Sequence, residues 1–178
     1  MNQRLRLSTG TVDWDCRLRL STVTNDSRLS TADYSMSLDK LQTLLEAFDE
    51  FPDPVDRTDM LLSYADQFKE VPPEVATRPF PEKNHIPQCE SDAYVWALKR
   101  PDGTLKLYFA VENPSGISAR ALATILDTTL SGLPATEIAA VDSGIVERIF
   151  RRNISMGKGM GLMAMVEAVR ALAKRATG

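Results

Sequence analysis

One cysteine in a short polar loop is the residue of this sequence with the most scope for chemistry. Cys89 follows Pro87 and stands just before an apolar run that begins at Ala93. A thiolate is a nucleophile, and a loop on a rigid scaffold can aim it at another molecule. Most free cysteines, however, are small buried hydrophobic residues. The position of Cys89 is therefore compatible with either a reactive thiol or simple core packing, and the residues around it have to distinguish the two.

His85, the one histidine of the sequence, is the base that could activate this thiol in a cysteine hydrolase. It stands four residues before Cys89, and loop residues at that spacing have no fixed mutual geometry. Glu90 and Asp92 flank the thiol and would raise its pKa if they lie close to it, which disfavours a permanently activated nucleophile. A peroxidatic or hydrolytic thiol enzyme using Cys89 and His85 stays open as the alternative to a thiol that acts on a partner.

Composition and charge exclude several classes of function. The chain of 178 residues is long enough for one domain plus an extension. Its formal net charge of −3 argues against nucleic-acid binding, which needs a basic face. No apolar stretch reaches the roughly 20 residues that a membrane span requires. Cys16 and Cys89 form neither a disulfide framework nor a metal-ligand spacing, so we expect no metal and a reducing, cytoplasmic compartment.

The first 35 residues differ from the rest of the chain. The hexapeptide at residues 4–9 returns at residues 17–22, and the surrounding sequence is rich in Ser, Thr and Asp. Such a composition buries too little apolar surface to offset the entropy of ordering. The sequence predicts a disordered extension over residues 1–35, with Cys16 incidental, and a folded domain over residues 36–178. Met36 leaves open that the extension is an upstream part of the reading frame.

The first half of the folded region is predicted to form two helices followed by an irregular segment, the arm. Apolar residues repeat at helical spacing over residues 38–51, with Ser37 as N-cap. A second helix is predicted over residues 53–70, with proline in its first turn. A proline-rich, irregular arm over residues 72–87 then leads to Cys89.

A β-hairpin follows the cysteine. Residues 93–99 and 105–111 are β-prone and flank Asp102-Gly103, a strong hairpin signal. A third short strand before Cys89 is left open. The hairpin and the helical patterns on either side predict an α+β fold in which helices pack on a small antiparallel sheet.

Four helical segments are predicted after the hairpin. The first is closed by Gly132, and two short ones follow, the first ending near Asp142 and the second over residues 143–150. A turn rich in glycine and methionine at residues 156–161 is predicted to lead into the last helix, and the methionines of this region are expected to fill the core.

The loop and the order of elements resemble the SufE family over about residues 37–176. The resemblance rests on the loop pattern Ile86-x-x-Cys89-x-Ser91-x-x-x-Val95-Trp96, on the short helix that begins at Leu133-Pro134, and on the segment Lys158-Gly159-Met160-Gly161-Leu162. The family usually has Gly directly before the cysteine, where this chain has Gln88. The family's basic residue in the late segment is usually Arg, where this chain has Lys158.

The resemblance implies a SufE/IscU-like fold and a sulfur acceptor that is not an enzyme by itself. Such a protein receives persulfide sulfur on Cys89 from a SufS-like, pyridoxal-phosphate-dependent cysteine desulfurase, stimulates that enzyme and passes the sulfur to an Fe–S scaffold. It implies no cofactor on this chain and leaves a homodimer open. Glu90, Arg120, Lys158 and His85 are the predicted partner contacts. A cluster scaffold would need about three or four ligands, and the folded region offers Cys89 and His85.

Overall fold

The computed structural model describes residues 38–177. The predicted extension with Cys16 and the predicted N-cap Ser37 lie outside this range. Within it, the structure contains six α-helices and one two-stranded antiparallel sheet, which confirms the α+β prediction. In chain order the elements are α1 (Asp39–Glu50), α2 (Pro54–Asp66), β1 (Ala93–Lys99), β2 (Leu105–Val111), α3 (Ile117–Leu130), α4 (Ala135–Ala140), α5 (Ile145–Phe150) and α6 (Met156–Thr177).

Helix α2 begins as predicted and ends earlier. The Asp53 carboxylate caps it by accepting a 2.7 Å hydrogen bond from the amide of Val55. The helix ends at Asp66 and not at the predicted residue 70. Glu70 instead forms an isolated bridge with Phe109, and the amide of the following residue donates to the Phe109 carbonyl at 2.7 Å. The chain leaves the helix because this segment has to run beside β2.

The predicted hairpin is confirmed with its bounds, and Val95 lies opposite Phe109 in its register. The third strand that the sequence left open is reduced to a single bridge between His85 and Tyr94. Pro87 explains why the pairing stops there, because proline has no amide hydrogen to continue the ladder.

The two faces of the sheet are covered by different parts of the chain. One face packs on the helices and contributes to the main core. The other face carries Tyr94, Trp96 and Tyr108 and is covered by the arm between α2 and β1. This second cluster contains Val71, Trp96 and Ala110, with Val75, Ala76, Phe80, Tyr94 and Tyr108 packed against it. The irregular arm therefore has a structural role, since it closes the outer face of the hairpin.

The last helix begins earlier than predicted, so the predicted turn over residues 156–161 is wrong. Helix α6 begins at Met156, and the Ser155 hydroxyl accepts a hydrogen bond from the Lys158 amide at 3.4 Å. Glycine is a poor helix former, costing about 1 kcal/mol relative to alanine, so the pattern favoured a turn. The predicted short helices are present as α4 and α5, each somewhat shorter than expected. No helix of the described range is long and apolar enough to cross a bilayer.

Candidate functional site: a buried thiol between two helix N-termini

The Cys89 loop is a tight turn closed by backbone hydrogen bonds. The Ile86 amide donates to the Ala93 carbonyl at 2.8 Å, and the Asp92 amide donates to the Cys89 carbonyl at 3.1 Å. Gln88 and Asp92, on either side of the cysteine, have φ values of 63° and 46°. Both lie in the left-handed region, where residues other than glycine are uncommon. The loop therefore reverses twice within a few residues, and Cys89 lies between the two reversals.

The turn places the Cys89 side chain inside the protein. Cys89 is 8% exposed and belongs to the main core cluster. It borders a cavity of about 40 Å³, and Glu90 and Ser91 line the same cavity from the loop. The rest of the lining comes from residues 115–119 at the start of α3 and from the first two turns of α6. The thiol thus lies where the N-terminal ends of two helices meet.

Burial makes the resting thiol a weak acid. Loss of hydration raises the pKa of Cys89 above its ordinary value, and the negative charge of Asp92 adds to this rise. Hydrogen bonds from the backbone amides of Ser91 and Ala93 and from the Ser91 side chain act in the opposite direction, but the pKa stays raised. The prediction that a neighbouring carboxylate opposes ionisation is confirmed for Asp92. At neutral pH the sheltered side chain is a protonated thiol and reacts slowly.

His85 lies away from this thiol, toward the outer face of the sheet. Its Nδ1 is 3.7 Å from Glu82 Oε1, and its Nε2 is 3.9 Å from Asp92 Oδ1. The ring also packs edge-on against Tyr94, with the centroids 5.1 Å apart. His85 does not line the Cys89 cavity. Nothing in this arrangement favours a hydrolase in which His85 activates Cys89.

The other predicted contact residues divide into two groups. Glu90 and Lys158 both line the cavity, both are exposed, and the Glu90 side chain lies against Gly157 at the start of α6. Arg120 is half-buried in the first turn of α3 and is not part of the cavity lining. The structure therefore brings Glu90 and Lys158 to the thiol site, and Arg120 does not line it.

The methionines of α6 are mostly exposed, and this corrects the prediction that they fill the core. Met165 is fully buried, whereas Met156, Met160 and Met163 are 86%, 53% and 44% exposed. These three residues form a helical stripe of their own on the outer face of α6. The buried stripe of α6 is formed by Leu162, Met165, Val166 and Val169.

Two glycines at the site were not predicted to contact the cysteine loop, although Gly161 belongs to the segment that carries the family resemblance. Gly116 precedes α3 and Gly161 lies in α6, and both line the Cys89 cavity. The available signal was a glycine where a helix would favour alanine, which often marks a close approach of another segment. In the described part of the chain, no group of three or more His, Cys, Asp or Glu side chains is arranged to hold a metal ion.

The fold and the site define a small α+β protein that presents one sheltered cysteine next to a helix-lined cavity. The sequence model of the SufE family, described as an Fe–S metabolism associated domain, matches residues 42–173 of this chain. The chain therefore belongs to the SufE family, and its function lies in Fe–S metabolism. The Cys89 loop and α3 lie within the matched region, and α6 begins in it.

Comparison with solved structures agrees with this fold. Seven chains match, among them the solution structure of a hypothetical protein from Thermus thermophilus. That protein is 25% identical in sequence, with a TM-score of 0.61, and the match covers 80% of the present chain and 98% of the other. No curated protein matches the sequence.

Proposed function

We propose that this protein is a sulfur acceptor and carrier. In this proposal Cys89 receives a persulfide sulfur from a pyridoxal-phosphate-dependent cysteine desulfurase of the SufS type. The protein stimulates that enzyme and passes the sulfur on to Fe–S cluster assembly. The proposal is supported by one observation above all, which is that the one cysteine of the described residues lies buried in a tight loop beside a small cavity.

The transfer needs a nucleophile and no oxidant. The Cys89 thiolate attacks the terminal sulfur of the desulfurase cysteine persulfide. A new sulfur–sulfur bond forms on Cys89 while the sulfur–sulfur bond of the desulfurase breaks, and the desulfurase cysteine leaves as a thiolate. This is thiol–disulfide exchange with sulfur as the transferred atom, and its rate depends on thiolate fraction and access.

The resting burial of Cys89 suits a carrier. Because the thiol is protonated and 8% exposed, it is poorly available to stray oxidants and disulfides. The cavity of about 40 Å³ beside it has room for one further sulfur atom, since about 10–15 Å³ of such volume already holds a water molecule. A persulfide held there would be shielded from water and from other thiols. Among residues 38–177 Cys89 has no second cysteine beside it, which also protects the persulfide, since such a thiol would convert it into a disulfide.

Partner contact is expected around the mouth of the site. A desulfurase has to bring its persulfide against Cys89, so its surface has to cover Glu90 and Lys158. Both are charged and exposed, which fits a polar rim around a reacting centre. Arg120 and His85 stay predicted contacts at the periphery, because neither lines the cavity.

Desulfurase assays separate the chemical role of Cys89 from binding. The Cys89→Ser protein should bind the desulfurase with unchanged affinity and fail to accelerate sulfide release, while Cys16→Ser should behave as wild type.

Lys158→Glu should weaken binding by about tenfold in calorimetric titration, because it reverses a charge at the rim. Lys174→Glu, an identical change at the exposed far end of α6, should leave the affinity unchanged. Full stimulation by Cys89→Ser would refute the carrier mechanism, whereas unchanged binding by Lys158→Glu would remove only that contact.

A further inference from the structure

The Cys89 loop rests directly on the backbone of α6 at Gly161. A Cβ atom at position 161 would lie 2.8 Å from the Gln88 carbonyl oxygen and 3.2 Å from Cys89 Cα. Both neighbouring atoms are main-chain atoms of the loop. A side-chain neighbour could rotate away, but a main-chain neighbour can yield only if the loop itself moves. Position 161 therefore tolerates no side chain while the loop keeps its place.

The other glycines of the same helix meet no such constraint. A Cβ at Gly159 would lie 3.5 Å from the tip of Ile154, and one at Gly157 would lie 3.4 Å from a carboxylate oxygen of Glu90. Both are contacts with the ends of side chains at ordinary distances. A helix gains about 0.5–1 kcal/mol when glycine is replaced by alanine, so glycine at 161 carries a cost that the close approach explains.

A second glycine supports the other side of the loop. A Cβ at Gly116, just before α3, would lie 2.8 Å from Val111 Cγ1 at the end of β2, and 3.0 Å from both Ser91 Cβ and the Asn113 carbonyl oxygen. Ser91 is also tied to this region by its carbonyl, which accepts a hydrogen bond from the Asn113 amide at 3.2 Å. The loop is thus held between the segment before α3 and the second turn of α6, and at each contact the supporting residue has no side chain.

We infer that Gly161 is a positioning residue for Cys89, because the bare backbone at this position lets the loop sit on α6 and thereby buries the thiol. Any side chain at 161 displaces the loop outward and exposes Cys89. The biological meaning of this inference rests on the proposed function, since burial matters for a thiol that has to hold sulfur and release it to a partner. The residue at 161 then sets the balance between shielding the sulfur and giving access to it.

Alkylation of Cys89 tests the inference on the full chain. In a Cys16→Ser background, Gly161→Ala is compared with Gly159→Ala, which makes the same change two residues earlier in α6. The rate of reaction with iodoacetamide, in which a carbon–sulfur bond forms as iodide leaves, is measured across a range of pH. Far-UV circular dichroism confirms that each protein is folded.

Gly161→Ala should react about tenfold faster at neutral pH than the parent, because exposure restores both access and thiolate fraction. Its pH profile should shift to lower pH, since burial is the main cause of the raised pKa of Cys89. Gly159→Ala should match the parent in both respects. Equal rates for the two variants, or loss of the fold in Gly161→Ala, would overturn the inference. Neither result bears on whether Cys89 of the wild type acquires a persulfide, so the proposed function is tested separately.

Discussion

Gln88 stands directly before Cys89, and its backbone conformation is uncommon for a residue with a side chain. With φ at 63°, it adopts the left-handed conformation that glycine takes without cost. For other L-residues this conformation costs roughly 1–2 kcal/mol. The Gln88 side chain is exposed, so it gains no packing that would offset this cost. The hydrogen bonds that close the loop, including the one from the Asp92 amide to the Cys89 carbonyl, hold the strained conformation in place.

Gln88→Gly should therefore stabilise the protein. We expect the free energy of unfolding to rise by about 1 kcal/mol, because relief of the strain exceeds the extra entropy that glycine gives the unfolded chain. Gln67→Gly is the matched control, since Gln67 is also exposed but has φ of −84°, and that variant should lose stability. Urea denaturation measures both changes. A Gln88→Gly protein that is less stable than wild type would show that the glutamine side chain has a stabilising role of its own.

Among the helices, Arg57 joins two elements that the sequence pattern does not connect. It is 1% exposed, and its guanidinium donates hydrogen bonds to carbonyl groups at the ends of α1 and α5. The acceptors are the carbonyls of Phe48, Phe51, Arg148 and Ile149. Such carbonyls have no partner within their own helices, and the positive charge also suits the negative ends of the two helix dipoles. A single side chain of α2 thus holds the C-termini of α1 and α5 together and fastens both to α2.

Arg57→Leu should cost about 3 kcal/mol or more, because it leaves several buried carbonyls without a donor. Arg57→Lys should rescue little of this loss, since an ammonium group cannot reproduce the planar fork of the guanidinium. Arg78→Ala is the control, because it removes an exposed arginine paired with Glu70 and Glu112, and it should cost about 1 kcal/mol or less. Thermal and urea denaturation give the comparison. Similar losses for Arg57→Leu and Arg78→Ala would rule out the fastening role.

On the scale of the whole molecule, patterns that depend on near neighbours were predictable and contacts between distant segments were not. The hairpin was predicted with its bounds because alternation and the Asp102-Gly103 turn are both local signals. The early start of α6 was missed because its glycines resemble a turn until the Cys89 loop is seen lying on Gly161. The role of Arg57 was missed for the same reason, since its acceptors come from two other helices.

At the candidate site, too, local sequence patterns were predictable and contacts between distant segments were not. The motif around Cys89 marked this thiol as the candidate site and resembled the SufE family. The family model that matches residues 42–173 confirms the family. Its burial, by contrast, depends on α3 and α6, which follow the loop in the chain and meet it only in the folded state. The sequence could therefore predict the candidate residue but not the cavity beside it or the glycines on which its loop lies.

Mass spectrometry of the protein after incubation with a cysteine desulfurase and free cysteine tests the central claim most directly. The account predicts that the peptide containing Cys89 gains the mass of one sulfur atom and loses it on treatment with a thiol reductant, as thiol exchange requires. The peptide containing Cys16 should remain unmodified, and Cys89→Ser should gain no sulfur. Sulfur that accumulates on Cys16, or a wild-type protein that stimulates the desulfurase with Cys89 never modified, would contradict the account.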